Sequence, residues 1–547
     1  MGFLTASRLI VIMAVVLAWG LLCIVLVHTL YRRWTRRASL TNLPGPEPES
    51  FLLGNLRQFY QGQAGEADFK WQASFGHILR IKGILGENCL FVSDPKALQH
   101  IYHSGYVFRK HVIRRELTRL VAGKGIIWAD TNDHRRQRRV ILPAFGAAET
   151  KALFPYFSEF AALLVLKWKE VIGMENSAIL DMPSWMSRTT LDVIGHAAFD
   201  YPFHALEEKD SVLRQAFGKV AGETFGRPSK KSIFIQNILQ YAPTSLVGYL
   251  YSHAANFEQA RETTRLVQQV SKDLIDSKSE AFMQGGGEHD VMSLLVKANL
   301  KEKTNQGLTD EEMLAAMQTI MGAGHETTAN SLTWTLYELA KRPDLQTKLR
   351  NEVKDMEKAI GGADFSVANL ESMPYLQAVM KEALRMHPVS YFGLREAARD
   401  DVIPLSKPVT LRDGSVVKEV PVSKGTTVYI SIAGYNRNED VFGEDAHSFK
   451  PERWLDGGVP RKGATAVGVY GNLMSFGSGV RSCVGWRFAL LEYQTILVQL
   501  TKNFEFSIDP TTVSKVRREA AMIMQPTIDG EYEKGPQLPL RVSLIEG

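Results

Sequence analysis

Residues 476–485 read Phe-Gly-Ser-Gly-Val-Arg-Ser-Cys-Val-Gly, a glycine-rich loop that carries Cys483. The apolar run from Trp486 to Leu500 predicts a helix that begins directly after this loop. A thiolate at the start of a helix lies near free amide N–H groups and the positive end of the helix dipole, which lower its pKa. Arg481 adds a positive charge two residues away. The pattern predicts either an ionised cysteine that binds a soft metal such as iron or, as the alternative, a lone buried or reactive cysteine.

The composition is that of an ordinary globular protein. Of the 547 residues, 45% are hydrophobic and 22% are charged, which excludes a disordered chain, a collagen-like chain and a protein that crosses a membrane many times. The net charge of +5, from 64 Lys and Arg against 59 Asp and Glu, is too small to argue for a nucleic-acid partner. Three cysteines, Cys23, Cys89 and Cys483, exclude a disulfide framework and indicate a reducing compartment.

The N-terminus contains one long apolar segment. Residues 9–30 include no charged side chain, and as a helix they would span about 33 Å, enough to cross a bilayer core of roughly 30 Å. Four arginines follow within residues 32–37, against Arg8 alone on the other side, which predicts that the following chain is cytoplasmic. We therefore expect an uncleaved membrane anchor. The alternative is a cleaved signal peptide, whose apolar core is usually shorter.

A stiff break separates this segment from the rest of the chain. Residues 43–46 read Leu-Pro-Gly-Pro, and proline fixes φ and cannot continue a helix. We expect residues 1–43 to form the anchor with its basic flank and residues 44–547 to form one large domain. Helical periodicity dominates residues 150–390. Short strand-like patches occur at 78–81, 89–92, 416–422 and 427–430. The predicted fold class is mainly α with small β-sheets, preceded by a single N-terminal transmembrane helix.

One predicted helix is unusually long. Thr309 and Glu312 form a capping box at its start, and the helical pattern continues until Pro343 stops it. Its length would be about 50 Å. Gly324 in its middle weakens the helix unless something needs close access to the backbone there.

Four motifs together resemble those of one family. Residues 476–485 match Phe-x-x-Gly-x-Arg-x-Cys-x-Gly, the haem-binding signature of cytochromes P450. In matching order, Ala-Gly-His-Glu-Thr-Thr at 323–328 resembles the family's oxygen-activation segment, and Glu-Ala-Leu-Arg at 382–385 its Glu-x-x-Arg. Pro-Glu-Arg-Trp at 451–454 resembles its Pro-Glu-Arg-Phe, with Trp for Phe. The resemblance covers roughly residues 44–540 and implies the cytochrome P450 fold, and the chain is most similar to microsomal, fungal members.

The resemblance implies a haem b cofactor, iron protoporphyrin IX, with an axial thiolate from Cys483. It also implies that Phe476 binds the haem and that Arg481 pairs with a haem propionate. Arg395 matches a further propionate arginine of the family.

Residues 134–138 are similar to the family's Trp-x-x-x-Arg, with His in place of Trp. His134 and Arg138 lie one helical turn apart and would both reach the propionates. The alternative for this run is a solvated basic face.

Glu326 and Thr327 match the family's distal acid–alcohol pair. Cleavage of O₂ needs two protons, and a hydroxyl can donate a hydrogen bond to the oxygen while a carboxylate relays protons through water. The alternative is that Thr327 and Thr328 only hydrogen-bond to carbonyls in the preceding turn. His325, between Gly324 and Glu326, is expected to be a packing or surface residue.

Glu382, Arg385 and Arg453 match the family's buried ion triad. We expect it to be structural and to lock the region that leads to the cysteine loop, since the loss of one member would leave a buried charge unpaired.

The resemblance implies an O₂-dependent monooxygenase that inserts one oxygen atom into a lipophilic substrate, a terpenoid or other secondary metabolite. Electrons would come from NADPH through NADPH–cytochrome P450 reductase, with cytochrome b5 as a further expected donor. A basic surface would dock the acidic reductase. Its expected members are Arg135, Arg136, Arg139 and Arg487. The anchor would hold the protein in the endoplasmic reticulum membrane with the catalytic domain in the cytoplasm.

Two other functions stay open at this point. One is a haem-thiolate isomerase or dehydratase that acts on a peroxide without a reductase, and the other is a non-catalytic haem carrier or sensor. Glu326 and Thr327 argue against both, because neither function needs proton delivery to bound O₂.

The substrate pocket is expected to be apolar. Its expected lining comprises Val389, Tyr391, Phe392, Met522 and Ile523. The apolar run at 232–239 is expected either to dip into the membrane or to pack in the core.

Overall fold

The structure is a computed structural model that describes residues 40–207, 227–254, 257–283, 290–301, 306–455 and 464–545, together with positions 19, 20, 23, 457 and 459. Apart from three of those positions, the expected anchor at 9–30 and its arginine-rich flank lie outside the described residues. Within the part of the chain that is described, no helix has the length and apolar composition needed to cross a bilayer. The anchor stays a prediction.

Helices make up most of the described chain. Their bounds are α1 Leu56–Gln61, α2 Glu66–Phe75, α3 Pro95–His103, α4 Val112–Ala122, α5 Thr131–Ile141, α6 Ala147–Ala152, α7 Phe154–Ile172, α8 Met182–Phe199, α9 Lys230–Ile238, α10 Thr244–His253, α11 Glu258–Met283, α12 Val291–Lys301, α13 Asp310–Lys341, α14 Pro343–Ala359, α15 Val367–Ser372, α16 Pro374–Met386, α17 Ile432–Asn436, α18 Glu439–Phe442, α19 Trp486–Asn503 and α20 Pro510–Val513.

The strands are short and form small sheets. Their bounds are β1 Ile78–Lys82, β2 Asn88–Val92, β3 Phe108–Lys110, β4 Ser177–Asp181, β5 Phe392–Ala397, β6 Asp401–Thr410, β7 Val416–Val422, β8 Thr427–Ser431, β9 Phe504–Ser507, β10 Val516–Ala520, β11 Met524–Ile528 and β12 Pro539–Leu544. The predicted fold class, mainly α with small β-sheets, is confirmed, and the four predicted strand patches correspond to β1, β2, β7 and β8.

The largest sheet has the strand order β1-β2-β8-β5-β3. The β2–β8 pair is parallel and the other pairs are antiparallel. At its β3 edge, the register pairs Lys110 directly with Arg395 of β5. The sheet thus sets two cations side by side, next to the cavity described below.

The long helix α13 begins as the sequence predicts. The Thr309 hydroxyl accepts the Glu312 N–H at 3.3 Å, and the Glu312 carboxylate accepts the Thr309 N–H at 3.0 Å. The helix packs closely on α8, since a Cβ on Gly324 would lie 2.7 Å from the end of the Ile194 side chain. A side chain at position 324 would require the Ile194 side chain to shift.

The buried ion triad is confirmed by its contacts. Arg385 donates two hydrogen bonds of 2.8 Å to the Glu382 carboxylate, and Arg453 donates a third at 2.9 Å. Trp454 donates its indole N–H to the same carboxylate at 2.9 Å. The chain just before the cysteine loop is anchored to α16, because Ser475 donates its hydroxyl to the Leu384 carbonyl at 2.7 Å.

Candidate active site

A cavity of about 430 Å³ lies between α13 and the loop that carries Cys483. Its volume is in the range of roughly 300–1,000 Å³ that small-molecule sites occupy. Apolar side chains such as Ile320, Val389 and Phe488 form much of the wall. The sequence-predicted site residues that line it are Thr327, Arg395, Phe476, Arg481 and Cys483. The cavity therefore brings together the predicted metal ligand, one member of the predicted proton pair and two predicted propionate arginines.

The cysteine loop is held in a tight, glycine-dependent shape. Gly477 and Gly479 have φ of +68° and +57°, a region that side chains disfavour. A Cβ on Gly479 would also lie 2.3 Å from the Tyr102 carbonyl oxygen at the end of α3. The Cys483 N–H donates to the Phe476 carbonyl at 2.8 Å and closes the loop. The sulfur is thereby fixed at the cavity wall.

The Cys483 side chain is exposed to the cavity that it lines. Burial raises its pKa, opposed by the Gly485 N–H and the positive charge of Arg138. The predicted lowering of this pKa by the helix start and Arg481 is therefore wrong, because desolvation dominates and the nearby guanidinium belongs to a different arginine. A thiol with a raised pKa suits a ligand that loses its proton when it coordinates a metal ion.

Arg138 on α5 does not line the cavity and instead forms hydrogen bonds to the cysteine loop. Its guanidinium donates to the Ser482 carbonyl at 2.7 Å and to the Ser482 hydroxyl at 3.1 Å. Because Ser482 precedes Cys483, this two-point contact fixes the position of the sulfur relative to α5.

Three cations lie near one another at the cavity: Arg395 and Arg481 line it, and Lys110 lies beside them without lining it. Arg481 forms an ion pair with Asp130 and donates to the Phe108 carbonyl at 3.1 Å. The Lys110 ammonium donates to two backbone carbonyls at 2.7 and 2.8 Å. Burial, and then the charges of Arg395 and Arg481, lower the pKa of Lys110 well below its usual value. Burial also lowers the pKa of Arg395.

This cluster fits a dianionic group. Lys110 and Arg395 face each other across β3 and β5, a placement that destabilises like charges unless an anion lies between them. The Arg481 Nε has no hydrogen-bond partner among the described residues. The three cations outnumber the carboxylate of Asp130, and the two propionates of a haem would offset this positive charge. The charge balance and the open sulfur together fit that cofactor.

His134 lies beside the cluster without reaching the cavity. Its Nδ1 is 2.9 Å from the Tyr106 hydroxyl, and the side chain is buried. Burial, followed by the charges of Lys110, Arg481 and Arg138, lowers its pKa to about 3. His134 is therefore neutral at physiological pH and offers a hydrogen bond without a charge.

The two members of the predicted proton pair are placed differently. The Thr327 hydroxyl lines the cavity and donates to the Ala323 carbonyl at 2.8 Å, the back-bonded arrangement considered as its alternative role. Its lone pairs remain able to accept a proton from a donor in the cavity. The Glu326 carboxylate does not line the cavity and contacts His325 Nε2 at 3.2 Å and Gln525 Nε2 at 3.5 Å.

Sequence reasoning missed several polar residues around the cavity. Lys110 and Gln525 carry no local pattern that marks them, since only the fold brings β3 and β11 to the site. Asp130 could have been found, because it stands at the N-cap position just before α5. Glu492 of α19 is fully buried, and neither carboxylate oxygen has a hydrogen-bond partner among the described residues.

The expected substrate lining is partly right. Val389, Phe392 and Ile523 line the cavity. Tyr391 is buried behind it and donates to the Ala521 carbonyl at 3.2 Å, and Met522 is 41% exposed. The prediction that Tyr391 and Met522 line the cavity is therefore wrong. Their neighbours in the sequence, Phe392 and Ile523, line it instead.

Comparison with known proteins identifies the fold's relatives. A sequence model of the cytochrome P450 family matches residues 44–533. Cytochrome P450 monooxygenase 205 of Postia placenta is 33% identical over 521 residues, which cover 92% of this chain and 92% of that protein. Cytochrome P450 monooxygenase claP of Ampulloclitocybe clavipes is 32% identical over 531 residues, with 95% and 96% covered. Ganoderic acid synthetase of Ganoderma lucidum is 33% identical over 534 residues, with 94% and 96% covered.

Proposed function

The chain belongs to the cytochrome P450 family, whose members are haem-thiolate enzymes, and from that premise we propose that it is a membrane-bound monooxygenase of a lipophilic secondary metabolite. Its relatives over nearly the whole chain are named as cytochrome P450 monooxygenases, and this chain is a monooxygenase of that family. The proposal has four parts: the residues that bind the haem, the identity of the electron donor, the attachment to the membrane, and the class of substrate.

The observation that carries the proposal is the placement of the Cys483 sulfur. It opens into a cavity that Thr327, Arg395 and Arg481 also line. Cys483 would ligate the haem iron, Arg395 and Arg481 would bind the propionates, and Lys110, which the sequence did not predict, would add a positive charge beside Arg395. The bound haem supplies the iron at which O₂ is activated for transfer of one oxygen atom to the substrate.

This chain's own residues position that cofactor and supply protons. Arg138 holds the loop through Ser482 and so orients the sulfur. Phe476 and residues such as Ile320 line the cavity with apolar surface. Glu326 delivers protons through water, and the Thr327 hydroxyl relays each one by accepting it on a lone pair while its own O–H turns from the Ala323 carbonyl and releases its proton into the cavity.

The electron donor is a reductase that docks beside the cysteine loop, with cytochrome b5 as a second donor. Arg138 ties α5 to that loop, and the exposed Arg135 and Arg139 lie on the same helix, while the exposed Arg487 lies in the first turn of α19, which follows the loop. An acidic partner surface would complement these three charges. Arg136 is not a member of this surface, because Glu312 pairs with it.

An exposed apolar corner near the start of the domain is the proposed contact with the lipid bilayer. Phe51 and Leu52 are 63% and 55% exposed, and Ile235 of α9 is 44% exposed. The Leu52 carbonyl accepts the Leu85 N–H, and α9 packs against residues 84–86, so the three side chains share one corner. Together with the expected anchor at 9–30, this corner would hold the domain on the endoplasmic reticulum membrane and admit substrates from the lipid.

The substrate class follows from the apolar cavity and from one relative. The cavity wall is mainly hydrocarbon, which selects lipophilic molecules. The relative from Ganoderma lucidum is named for the synthesis of ganoderic acid, a terpenoid. We therefore place a terpenoid first among the substrates to be tried.

The test combines a spectrum with a turnover assay. The reduced protein with CO should give the thiolate type of difference spectrum, Cys483→Ala should lose it, and the control Cys89→Ala, a buried cysteine outside the cavity, should keep it. A thiolate-type spectrum from Cys483→Ala would refute the ligand assignment. A terpenoid screen by mass spectrometry should then give products one oxygen heavier only with NADPH and reductase. Product formation from a peroxide without NADPH would instead favour the isomerase or dehydratase function.

A further inference from the structure

His325 lies inside α13 next to Glu326 and is almost fully buried, with 1% of the residue exposed. Its Nδ1 lies 3.0 Å from the Met321 carbonyl oxygen, one turn earlier, and its Nε2 lies 3.2 Å from Glu326 Oε1. The expectation that His325 is only a packing or surface residue is therefore incomplete, since both ring nitrogens have polar partners.

These two contacts fix the number of protons that the pair carries. A carbonyl oxygen can only accept, so the hydrogen bond at Nδ1 requires a proton on Nδ1. Nε2 then faces a carboxylate oxygen, and two lone pairs repel each other unless a proton lies between them. The pair therefore holds a second proton, shared between Nε2 and Oε1, as imidazolium with carboxylate or as imidazole with carboxylic acid.

Another buried histidine–glutamate pair in the same molecule shows the opposite case. His387 Nε2 lies 2.8 Å from Glu338 Oε1, but its Nδ1 has no hydrogen-bond partner among the described residues. A neutral imidazole with its proton on Nε2 satisfies this geometry without an extra proton. Burial lowers the pKa of His387 to about 4, despite the opposing charge of Glu338.

The groups around His325 favour retention of its proton. Burial opposes the imidazolium, but the hydrogen bond and charge of Glu326 outweigh it and raise the pKa of His325 above its usual value. Thr190 of α8 donates to the His325 carbonyl at 3.0 Å, and Gln525 of β11 approaches the far oxygen of Glu326. Both of these neighbours are uncharged, so within the described residues Glu326 is the charged group that faces the ring.

We propose that His325 and Glu326 together store one proton beside the cavity and that His325 is the positioning residue that reloads Glu326. This proposal rests on the proposed role of Glu326 and Thr327 in proton delivery. To release the stored proton, the Nε2–H bond breaks and an Oε1–H bond forms, and Glu326 then gives that proton to a cavity water. The imidazolium becomes a neutral imidazole that keeps the proton on Nδ1, and a proton from bulk water then restores the imidazolium.

The stored proton can be observed without turnover. Histidine side chains labelled with ¹³C are followed by NMR in the diamagnetic ferrous–CO holoenzyme, and the His325 signal among the 13 histidines is assigned by its loss in His325→Gln. At pH 7.5 we expect His325 to be imidazolium and His387 to be neutral. Glu326→Gln should lower the His325 titration midpoint by about one unit or more. A His325 signal that is neutral at pH 7.5 and unchanged by Glu326→Gln would overturn the proposal.

The role in proton delivery needs a second measurement. We measure coupling, the fraction of NADPH electrons that is used to form product rather than peroxide or water, from pH 6.5 to 8.5. We expect His325→Gln and His325→Asn to lower this fraction several-fold and to flatten its pH dependence, with the CO spectrum as the control for folding. The matched control is His253→Gln, since exposed His253 also bonds the carbonyl four residues earlier but carries no carboxylate partner there.

The two measurements separate the two hypotheses. If both His325 variants keep the wild-type coupling and pH profile, His325 does not reload Glu326 and the proposal fails. If Glu326→Gln and Thr327→Ala also keep wild-type coupling, the proposed proton pair itself is wrong, although the NMR titration would still report the shared proton.

Discussion

Arg136 and Glu312 form a two-point ion pair that joins α5 to the first turn of the long helix α13. The guanidinium nitrogens lie 2.6 and 2.7 Å from the two carboxylate oxygens, and one of them also donates to the Gly307 carbonyl at 2.6 Å. The side chains are 23% and 12% exposed. Since Glu312 also completes the capping box, Arg136 stabilises the start of the helix that forms one side of the cavity.

Charge reversal on α5 should therefore have two different effects. Arg135→Glu with Arg139→Glu should slow reduction by the reductase several-fold and leave the CO spectrum and melting temperature unchanged, because both side chains are exposed. Arg136→Glu should instead destabilise the fold by about 1.5–3 kcal/mol, since it leaves Glu312 without its cation. Stopped-flow reduction and thermal unfolding measure the two effects. If Arg136→Glu slowed reduction as much as the double variant and lost no stability, Arg136 would belong to the docking surface.

Lys110 should matter for haem retention because it faces Arg395 across two strands. Lys110→Met removes one of the three cations whose charge the propionates would offset, so we expect haem to leave the protein at least about ten-fold faster, the equivalent of roughly 1.4 kcal/mol. Transfer of haem to an excess of an apo-globin measures that rate. Lys151→Met, at an exposed ion pair with Glu371, is the control and should have the wild-type rate. Wild-type haem loss in Lys110→Met would exclude Lys110 from the cofactor site.

Local signals in the sequence predicted much of this arrangement. The capping box of Thr309 and Glu312 depends on residues three apart, and the helix after the cysteine loop depends on an apolar run, so both could be predicted without the fold. The ion triad of Glu382, Arg385 and Arg453 could be predicted only through the resemblance, since its members are separated by up to 71 positions.

The parts that could not be predicted depend on burial and on long-range contacts. The direction of the Cys483 pKa shift was wrong because desolvation, invisible in the sequence, outweighs the helix start. Lys110 and Gln525 reach the site only through strand pairing. The ion pair of Arg136 with Glu312, for which we leave Arg136 out of the proposed docking surface, could not be predicted because the two residues are 176 positions apart.

The buried pair of Glu338 and His387 should make the fold sensitive to acid. Burial opposes ionisation of Glu338, but His387 and Lys341 outweigh it and lower its pKa to about 2. The pKa of His387 falls to about 4, so the unfolded chain binds more protons than the fold below the ordinary histidine pKa of about 6.5. Stability should therefore decrease as the pH falls from about 6.5 towards 4 and further as it approaches 2.

Urea unfolding between pH 4 and 7 tests this dependence. Glu338→Gln should be destabilised at pH 7 and should lose less stability than the wild type on acidification, because the lowered carboxylate pKa is gone. Glu371→Gln, which breaks an exposed ion pair with Lys151, is the control and should change stability by less than about 1 kcal/mol. A Glu338→Gln protein with the wild-type slope would assign the acid sensitivity to other groups.

Glu492 should have the opposite pH dependence because the fold keeps it protonated. The side chain is fully buried on α19, its oxygens have no hydrogen-bond partner among the described residues, and burial raises its pKa well above the usual value, opposed only by the nearby Thr328 hydroxyl. A raised pKa means that folding takes up a proton at neutral pH, so this contribution is complete below about pH 4.5 and is lost as the pH rises towards the folded pKa. Glu492→Gln is isosteric and takes up no proton. It should match the wild type at pH 5 and become more stable as the pH rises, by up to about 1.4 kcal/mol per pH unit. Urea unfolding at pH 5, 6.5 and 8 measures the difference, with exposed Glu159→Gln as the control. A Glu492→Gln protein that is less stable than the wild type at pH 8 would mean that Glu492 is ionised and paired in the fold.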